Sequence, residues 1–177
     1  MNKTDNITNI VIAGLGGQGV IRAANILAEA AVRAGYDVKQ SEIHGMSQRG
    51  GSVTSDIRFG KKVYSPMVPV GEADFLLVLH PTQEDNNRYH ISQGGIFLSV
   101  SQFLTDGDAL SALDKDDATP ITERNCNVAL LGVLSSYLPL EDIHWETAIR
   151  NNLPSKIHAQ NIEAFYCGKS RGQRSPN

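Results

Sequence analysis

The chain has 177 residues, 41% hydrophobic and 20% charged, with a formal net charge of -3. That length builds one hydrophobic core without metal or disulfide support, and the weak negative charge excludes the basic footprint of nucleic-acid binding. No run is apolar and long enough to span a bilayer, and the polar start, Met1 to Thr8, lacks signal-peptide character, so the cytoplasm is the expected location.

Asn9 to Gly14 carries the apolar run Ile10-Val11-Ile12 and predicts a buried strand. A glycine-rich turn leads into a helix from about Val20 to Ala34, with Ile21, Ala24, Ala28 and Ala31 on its buried stripe and Gly35 as its stop. Asp37 to Ile43 reads as the second strand, so the opening has the size of a parallel crossover unit. Ser52 to Phe59 alternates, with Val53, Ile57 and Phe59 against Thr54, Asp56 and Arg58. Val63 and Tyr64 pair back onto it across a turn at Gly60-Lys61-Lys62, as an antiparallel hairpin added to the sheet.

Phe75 to Leu79 reads as a central strand, and Pro81 starts a helix ending near Tyr89. Gly94 and Gly95 then turn the chain into a strand over Ile96 to Val100. The acidic stretch Leu104 to Glu123, with Asp114, Asp116 and Asp117, reads as a surface excursion holding one short strand. Helices follow over Cys126 to Tyr137, Leu140 to Asn151 and Lys156 to Tyr166, and residues 169–177 read as a disordered tail. The expected architecture is one α/β domain, residues 1–168: a Rossmann-like open sheet, mostly parallel, with helices on both faces and a short antiparallel addition.

Two segments carry candidate chemistry. Gly14-Leu15-Gly16-Gly17-Gln18-Gly19 satisfies G-x-G-x-x-G between a strand and a helix. Small residues there let backbone approach a phosphate at a helix start, or simply let strand and helix pack tightly with no ligand. Glu42 stands near the position of a ribose-binding acid, but little chain remains for a substrate domain. The second segment, Glu42 to Ser52, adds His44, Gln48, Arg49 and Gly50 at the carboxyl edge of the sheet. Three readings stand for it: a local Arg49–Glu42 ion pair, contact with a phosphate or carboxylate ligand, or a subunit interface. His80, before Pro81, is either a site residue or a helix-entry residue. Tyr64, Pro66 and Met67 face either a partner or the core. The two cysteines, Cys126 and Cys167, are too few for a four-iron cluster or a zinc site.

Taken together, Gly-Leu-Gly-Gly-Gln-Gly and, about twenty-five residues on, His-Gly-Met-Ser-Gln-Arg-Gly-Gly-Ser resemble the gamma-type domain of 2-oxoacid:ferredoxin oxidoreductases, and in particular the beta subunits of indolepyruvate ferredoxin oxidoreductases. The likeness continues through Val63-Tyr64-Ser65-Pro66, Gly71-Glu72-Ala73-Asp74, Asn127 to Leu140, and Asn161, Ala164 and Phe165. It implies a chain inactive alone, beside a large alpha subunit that carries thiamine diphosphate, magnesium and 4Fe-4S clusters. The complex is expected to pass electrons to ferredoxin and the acyl group to coenzyme A. It also implies cofactor or interface roles for Gly14, Gly16, Gly17, Gln18, Gly19, His44, Gln48, Arg49 and Gly50.

Overall fold

The computed structural model describes residues 6–45, 50–106, 110–115 and 119–174. Among them five strands form one sheet: β1 (Thr8–Leu15), β2 (Asp37–His44), β3 (Ser52–Gly60), β4 (Ala73–Val78) and β5 (Ile91–Ser99). Their order is β2-β3-β1-β4-β5. β4 runs parallel to β1 and β5 parallel to β4, whereas β3 is antiparallel to both β1 and β2.

The sheet is therefore mixed, which corrects the mostly parallel expectation. Helix α1 (Val20–Arg33) does carry the chain from β1 across to β2, but β3 is threaded between them. Its ladders run from Thr8↔Phe59 to Leu15↔Ser52 on one side and from Asp37↔Gly60 to His44↔Val53 on the other. The expected pairing of Val63 and Tyr64 does not occur. Val63 instead donates its N–H to Asp37 Oδ2 at 2.9 Å, which also holds the Asp37 carboxyl below its ordinary range. Tyr64 is 86% exposed.

Strand alternation divides the sheet's two faces. Ile10, Ile12, Ile57, Phe59, Leu77 and Leu98 point into the larger core, against α1, α4 (Cys126–Ser135), α5 (Asp142–Asn152) and α6 (His158–Arg174). The opposite face, with Val11, Ala13, Leu76 and Val78, is covered by Val68 from the 61–72 loop and by residues at the ends of β4 and β5. Helices on both faces were expected; every long helix described lies on one. On the other face β3 presents Asp56 and Arg58. Asp56 Oδ2 accepts the Val68 N–H at 2.9 Å, and Arg58 donates to the carbonyls of Ser65 and Met67, both at 3.1 Å. Those bonds fasten a loop, not a helix, over the sheet.

Four local expectations also change. The 81–90 segment is a 3-10 turn, the short helix α2 (Glu84–Asn87) and a second 3-10 turn. β5 starts at Ile91 and runs through Gly94, whose φ of 90° accompanies a bulge in the β4 register. After the short helix α3 (Val100–Phe103), the described part of the acidic excursion is a 3-10 turn, Leu110–Lys115, whose Leu110 and Leu113 are buried. Residues 169–174 of the expected tail instead continue α6, which ends at Arg174, and residues 175–177 lie outside the described residues. Arg171 donates to the carbonyls of Phe103 and Leu104 at 3.2 and 2.9 Å, fixing that last turn to α3.

Candidate functional site

β1 ends and α1 begins through the glycine turn, and its glycines do different work. A Cβ on Gly14 would meet Val20 Cγ2 at 2.8 Å and Leu79 Cβ at 3.2 Å, so this glycine permits tight packing of helix on strand. Gly19 has φ 79°, and a Cβ there would lie 2.5 Å from Asn127 Nδ2. Gly17 differs: its φ is 93°, yet nothing stands within 4 Å of where a Cβ would be. Its backbone faces open space, as close approach of a ligand requires.

Gln18 folds the turn on itself. The Leu15 N–H donates to Gln18 Oε1 at 2.8 Å, and the Gln18 N–H to the Leu15 carbonyl at 3.1 Å. The side-chain oxygen of Gln18 is thus engaged within the turn. Gly16 donates its N–H to the Gly51 carbonyl at 2.9 Å, and a Cβ on it would sit 3.6 Å from Gly50 N. The two glycine-rich segments that stood far apart in sequence thus meet in space. They meet because β3 runs antiparallel beside β1, which places its first residue against the last of β1.

His44 ends β2 with Nε2 3.6 Å from Glu42 Oε2, so Glu42 is engaged locally. Gly50, with φ 65°, begins the return to β3. Gln48 and Arg49 lie outside the described residues, and so does the proposed Arg49–Glu42 pair. His80 takes the helix-entry role: its Nδ1 accepts the Thr82 N–H at 3.3 Å and lies 2.8 Å from Thr82 Oγ1.

A cleft of about 510 Å³ opens between the glycine turn and β2, lined by Leu15, Gly17, Arg22, Asn25, His44 and Asn152. A second groove, about 580 Å³, lies on the other side of Arg22, between the turn and the starts of α4 and α6. Arg22, Arg124 and Asn127 line it and were not singled out from sequence. A signal was available: the first turns of α1 and α4 contain no acid, and each has an arginine beside it where the helix dipole favours anions.

The donor set does not fit an iron–sulfur cluster. Among the described residues no group of three His, Cys, Asp or Glu side chains converges. The two thiols are separate, Cys126 buried at the start of α4 and Cys167 half-buried on α6. Nor is any helix of the described residues long and apolar enough to cross a membrane.

The sequence profile of the Pyruvate ferredoxin/flavodoxin oxidoreductase family matches residues 9–170. Indolepyruvate oxidoreductase subunit IorB of Thermococcus kodakarensis is 35% identical over 188 residues, covering 90% of this chain and 93% of that one. The pyruvate/ketoisovalerate oxidoreductases common subunit gamma of Pyrococcus furiosus is 40% identical over 170 residues, with 85% and 89% covered. Among solved structures, a keto/oxoacid ferredoxin oxidoreductase gamma subunit from Geobacter sulfurreducens shares the fold at a TM-score of 0.76 and 24% identity, over 95% of this chain and 99% of that one. The 2-oxoglutarate:ferredoxin oxidoreductase of Magnetococcus marinus, solved with 2-oxoglutarate, coenzyme A and succinyl-CoA, shares it at 0.81 and 21%, over 97% of this chain but only 32% of that one.

Proposed function

The chain belongs to the pyruvate ferredoxin/flavodoxin oxidoreductase family, and on that premise we propose that it is the small subunit of an indolepyruvate-type 2-oxoacid:ferredoxin oxidoreductase of the cytoplasm. The complex would convert an arylpyruvate, coenzyme A and oxidised ferredoxin into an aryl-acetyl-CoA, carbon dioxide and reduced ferredoxin. The observation that carries this reading is likeness over nearly the full length of both chains to IorB subunits, at 32–35% identity in four archaea. Thiamine diphosphate and the clusters supply carbanion stabilisation and electron transfer; they belong to a large alpha subunit, because this chain has neither the thiols nor a diphosphate–magnesium motif.

The small subunit contributes a surface. The joined glycine segments present Gly16, Gly17 and Gly50 with His44 at one end of the sheet, and Gln48 and Arg49 stand between His44 and Gly50 in the sequence. This end faces the large subunit near its active site and guides the phosphates or pantetheine of coenzyme A. The 40% identity to the Pyrococcus furiosus gamma subunit favours a second reading, a pyruvate or ketoisovalerate enzyme with the same division of labour.

Co-expression with the large subunit, followed by viologen reduction assays across indolepyruvate, phenylpyruvate, pyruvate, 2-oxoglutarate and ketoisovalerate, tests both. Arylpyruvate turnover by the complex and none by this chain alone is the expected result. Turnover confined to aliphatic oxoacids selects the second reading, and full activity of the large chain without this one overturns both.

A further inference from the structure

Among the described residues eight large apolar side chains are exposed, and three of them stand in one loop: Tyr64 at 86%, Met67 at 57% and Val70 at 72%. Single exposed apolar residues need no explanation, but a cluster does. Tyr64 and Met67 do not face the core, because the loop buries Val63 and Val68 instead. Its backbone is fastened inward. The Val63 N–H donates to Asp37 Oδ2 and the Val68 N–H to Asp56 Oδ2, while Arg58 donates to the carbonyls of Ser65 and Met67. Pro66 and Pro69 restrict φ further. The loop is thus ordered before anything meets it, so little entropy opposes association.

The same loop crosses the sheet from side to side. Lys62 Nζ lies 3.7 Å from Asp37 on β2, and the 65–68 stretch is bonded to β3. The Glu72 carbonyl accepts from Asn9 Nδ2 on β1 at 3.1 Å. Because β3 stands between β2 and β1, Met67 is held over the middle strand. A base, Lys62, marks one end of this strap and an acid, Glu72, the other, and both are exposed. The exposed side chains are disposed evenly about Met67: Tyr64 and Val70 three residues away, Lys62 and Glu72 five. Such a surface complements itself after a half-turn about Met67. Tyr64 of one copy then meets Val70 of the other, and Lys62 meets Glu72, each pair occurring twice as an isologous contact requires.

We propose that the 61–72 loop is a self-docking surface, through which two copies of this chain pair about a two-fold axis at Met67. A second copy fits where a partner of one charge does not, because the strap sets opposite charges at the two ends of an apolar centre. The contact lies toward the start of β1, whereas the glycine turn follows its end. It does not depend on the oxidoreductase reading.

The test is sedimentation velocity of the full chain over a range of concentrations. So small an interface belongs to the weak class, and dimers are expected to dissociate at about tens of micromolar. Met67→Lys, which sets two ammonium groups across the axis, should weaken pairing about tenfold or more. Lys62→Glu alone and Glu72→Lys alone should each weaken it. The doubly reversed chain should recover most of the affinity, a rescue that a folding defect cannot mimic. Val32→Lys, at a comparably exposed apolar position on α1, should leave pairing unchanged. Unchanged thermal midpoints would establish that the variants are folded. A chain that stays monomeric at about 1 mM overturns the proposal, as do dimers indifferent to every loop variant. If wild type alone is monomeric and Met67→Lys instead loses a co-expressed large subunit, the loop belongs to that partner and self-docking is overturned. A dimer with the expected charge rescue, beside a complex inactive on every oxoacid, would refute the proposed function and leave the self-docking surface standing.

Discussion

The side-chain amide of Asn127 donates to the carbonyl of Gly19 at 3.2 Å, across 108 residues of sequence. Its Oδ1 accepts the Val128 N–H at 2.9 Å. One buried residue thereby ties the start of α4 to the start of α1, and with them the two sides of the groove.

Asn127→Ala should cost about 1–2 kcal/mol, because both bonds are lost in a buried place. Gly19→Ala should cost at least as much, since it adds a left-handed backbone penalty to the clash with Asn127. The double variant should cost less than the sum, because removing Asn127 removes the clash. Urea denaturation of the four proteins checks this, and strict additivity would contradict it.

Helices α4 and α6 touch backbone to backbone. A Cβ on Gly132 would lie 1.9 Å from the Phe165 carbonyl oxygen, and one on Gly168 would lie 1.9 Å from that of Ala129. Neither partner is a side chain that can swing away, so the helices must separate. Gly132→Ala and Gly168→Ala should each cost more than about 3 kcal/mol, seen as a large drop in thermal midpoint. Gly17→Ala, with open space around it, should show only the backbone penalty of about 1–2 kcal/mol.

Stability should depend on pH through the second face of the sheet. His90 is 6% exposed, and neither of its ring nitrogens has a hydrogen-bond partner. Burial pushes its pKa below the ordinary 6.5, against the pull of the Asp56 charge. The unfolded chain thus binds a proton more readily, and the stability His90 contributes above about pH 6.5 is lost as pH falls through its folded value. Asp56 is the opposite case. Burial raises it above 3.8 in spite of the Val68 N–H, His90 and Arg58, so its contribution, present at low pH, is lost as pH rises through its folded value. His90→Gln should flatten the loss between pH 7 and 5 in urea titrations. Parallel curves for variant and wild type would rule the assignment out.

Deleting everything after Gly168 should destabilise the protein by about 2 kcal/mol or more. The truncation removes the bonds from Arg171 to Phe103 and Leu104. It also removes the Lys169–Asp142 ion pair and the contact of Gly172 with Val133. A chain ending at Gly168 with an unaltered thermal midpoint would restore the reading of this stretch as a loose tail.

Sequence made the individual elements legible and left their assembly partly hidden. The strand at Asn9 to Gly14 and the helix after Gly19 were readable because apolar periodicity and punctuating glycines act within a few residues. The alternation at Ser52 to Phe59 announced a strand, but alternation does not say which neighbour a strand takes. The place of β3 between β1 and β2 depends on hydrogen bonds to residues some forty positions away. The end of α6 was missed because Lys169 to Arg174 is polar throughout and carries a glycine, Gly172. Two of those residues, Arg171 and Gly172, are held by tertiary contacts that no local propensity records. At the site, the glycine turn was plain, while the bond from the Leu15 amide to Gln18 Oε1 was not legible, because residue type does not say which backbone group a side chain meets. Arg22 and Arg124 were passed over because each stands alone in sequence, and only the meeting of α1 with α4 makes them a pair.

The threading of β3 also predicts an order of events as the chain folds. β1 and β2 never bond to each other, so the crossover through α1 must hold a gap until its filler arrives. β2 and β3 are joined by a short loop and can zip into a hairpin first; that hairpin then docks as a unit along β1, with the helix closing over it. Docking tolerates no slip, because a shift of one residue would turn Ile57 toward the loop face and Asp56 into the main core. Rapid-mixing experiments on variants of the β2–β3 hairpin should therefore change the folding rate, while changes at the β5 edge should act mainly on unfolding.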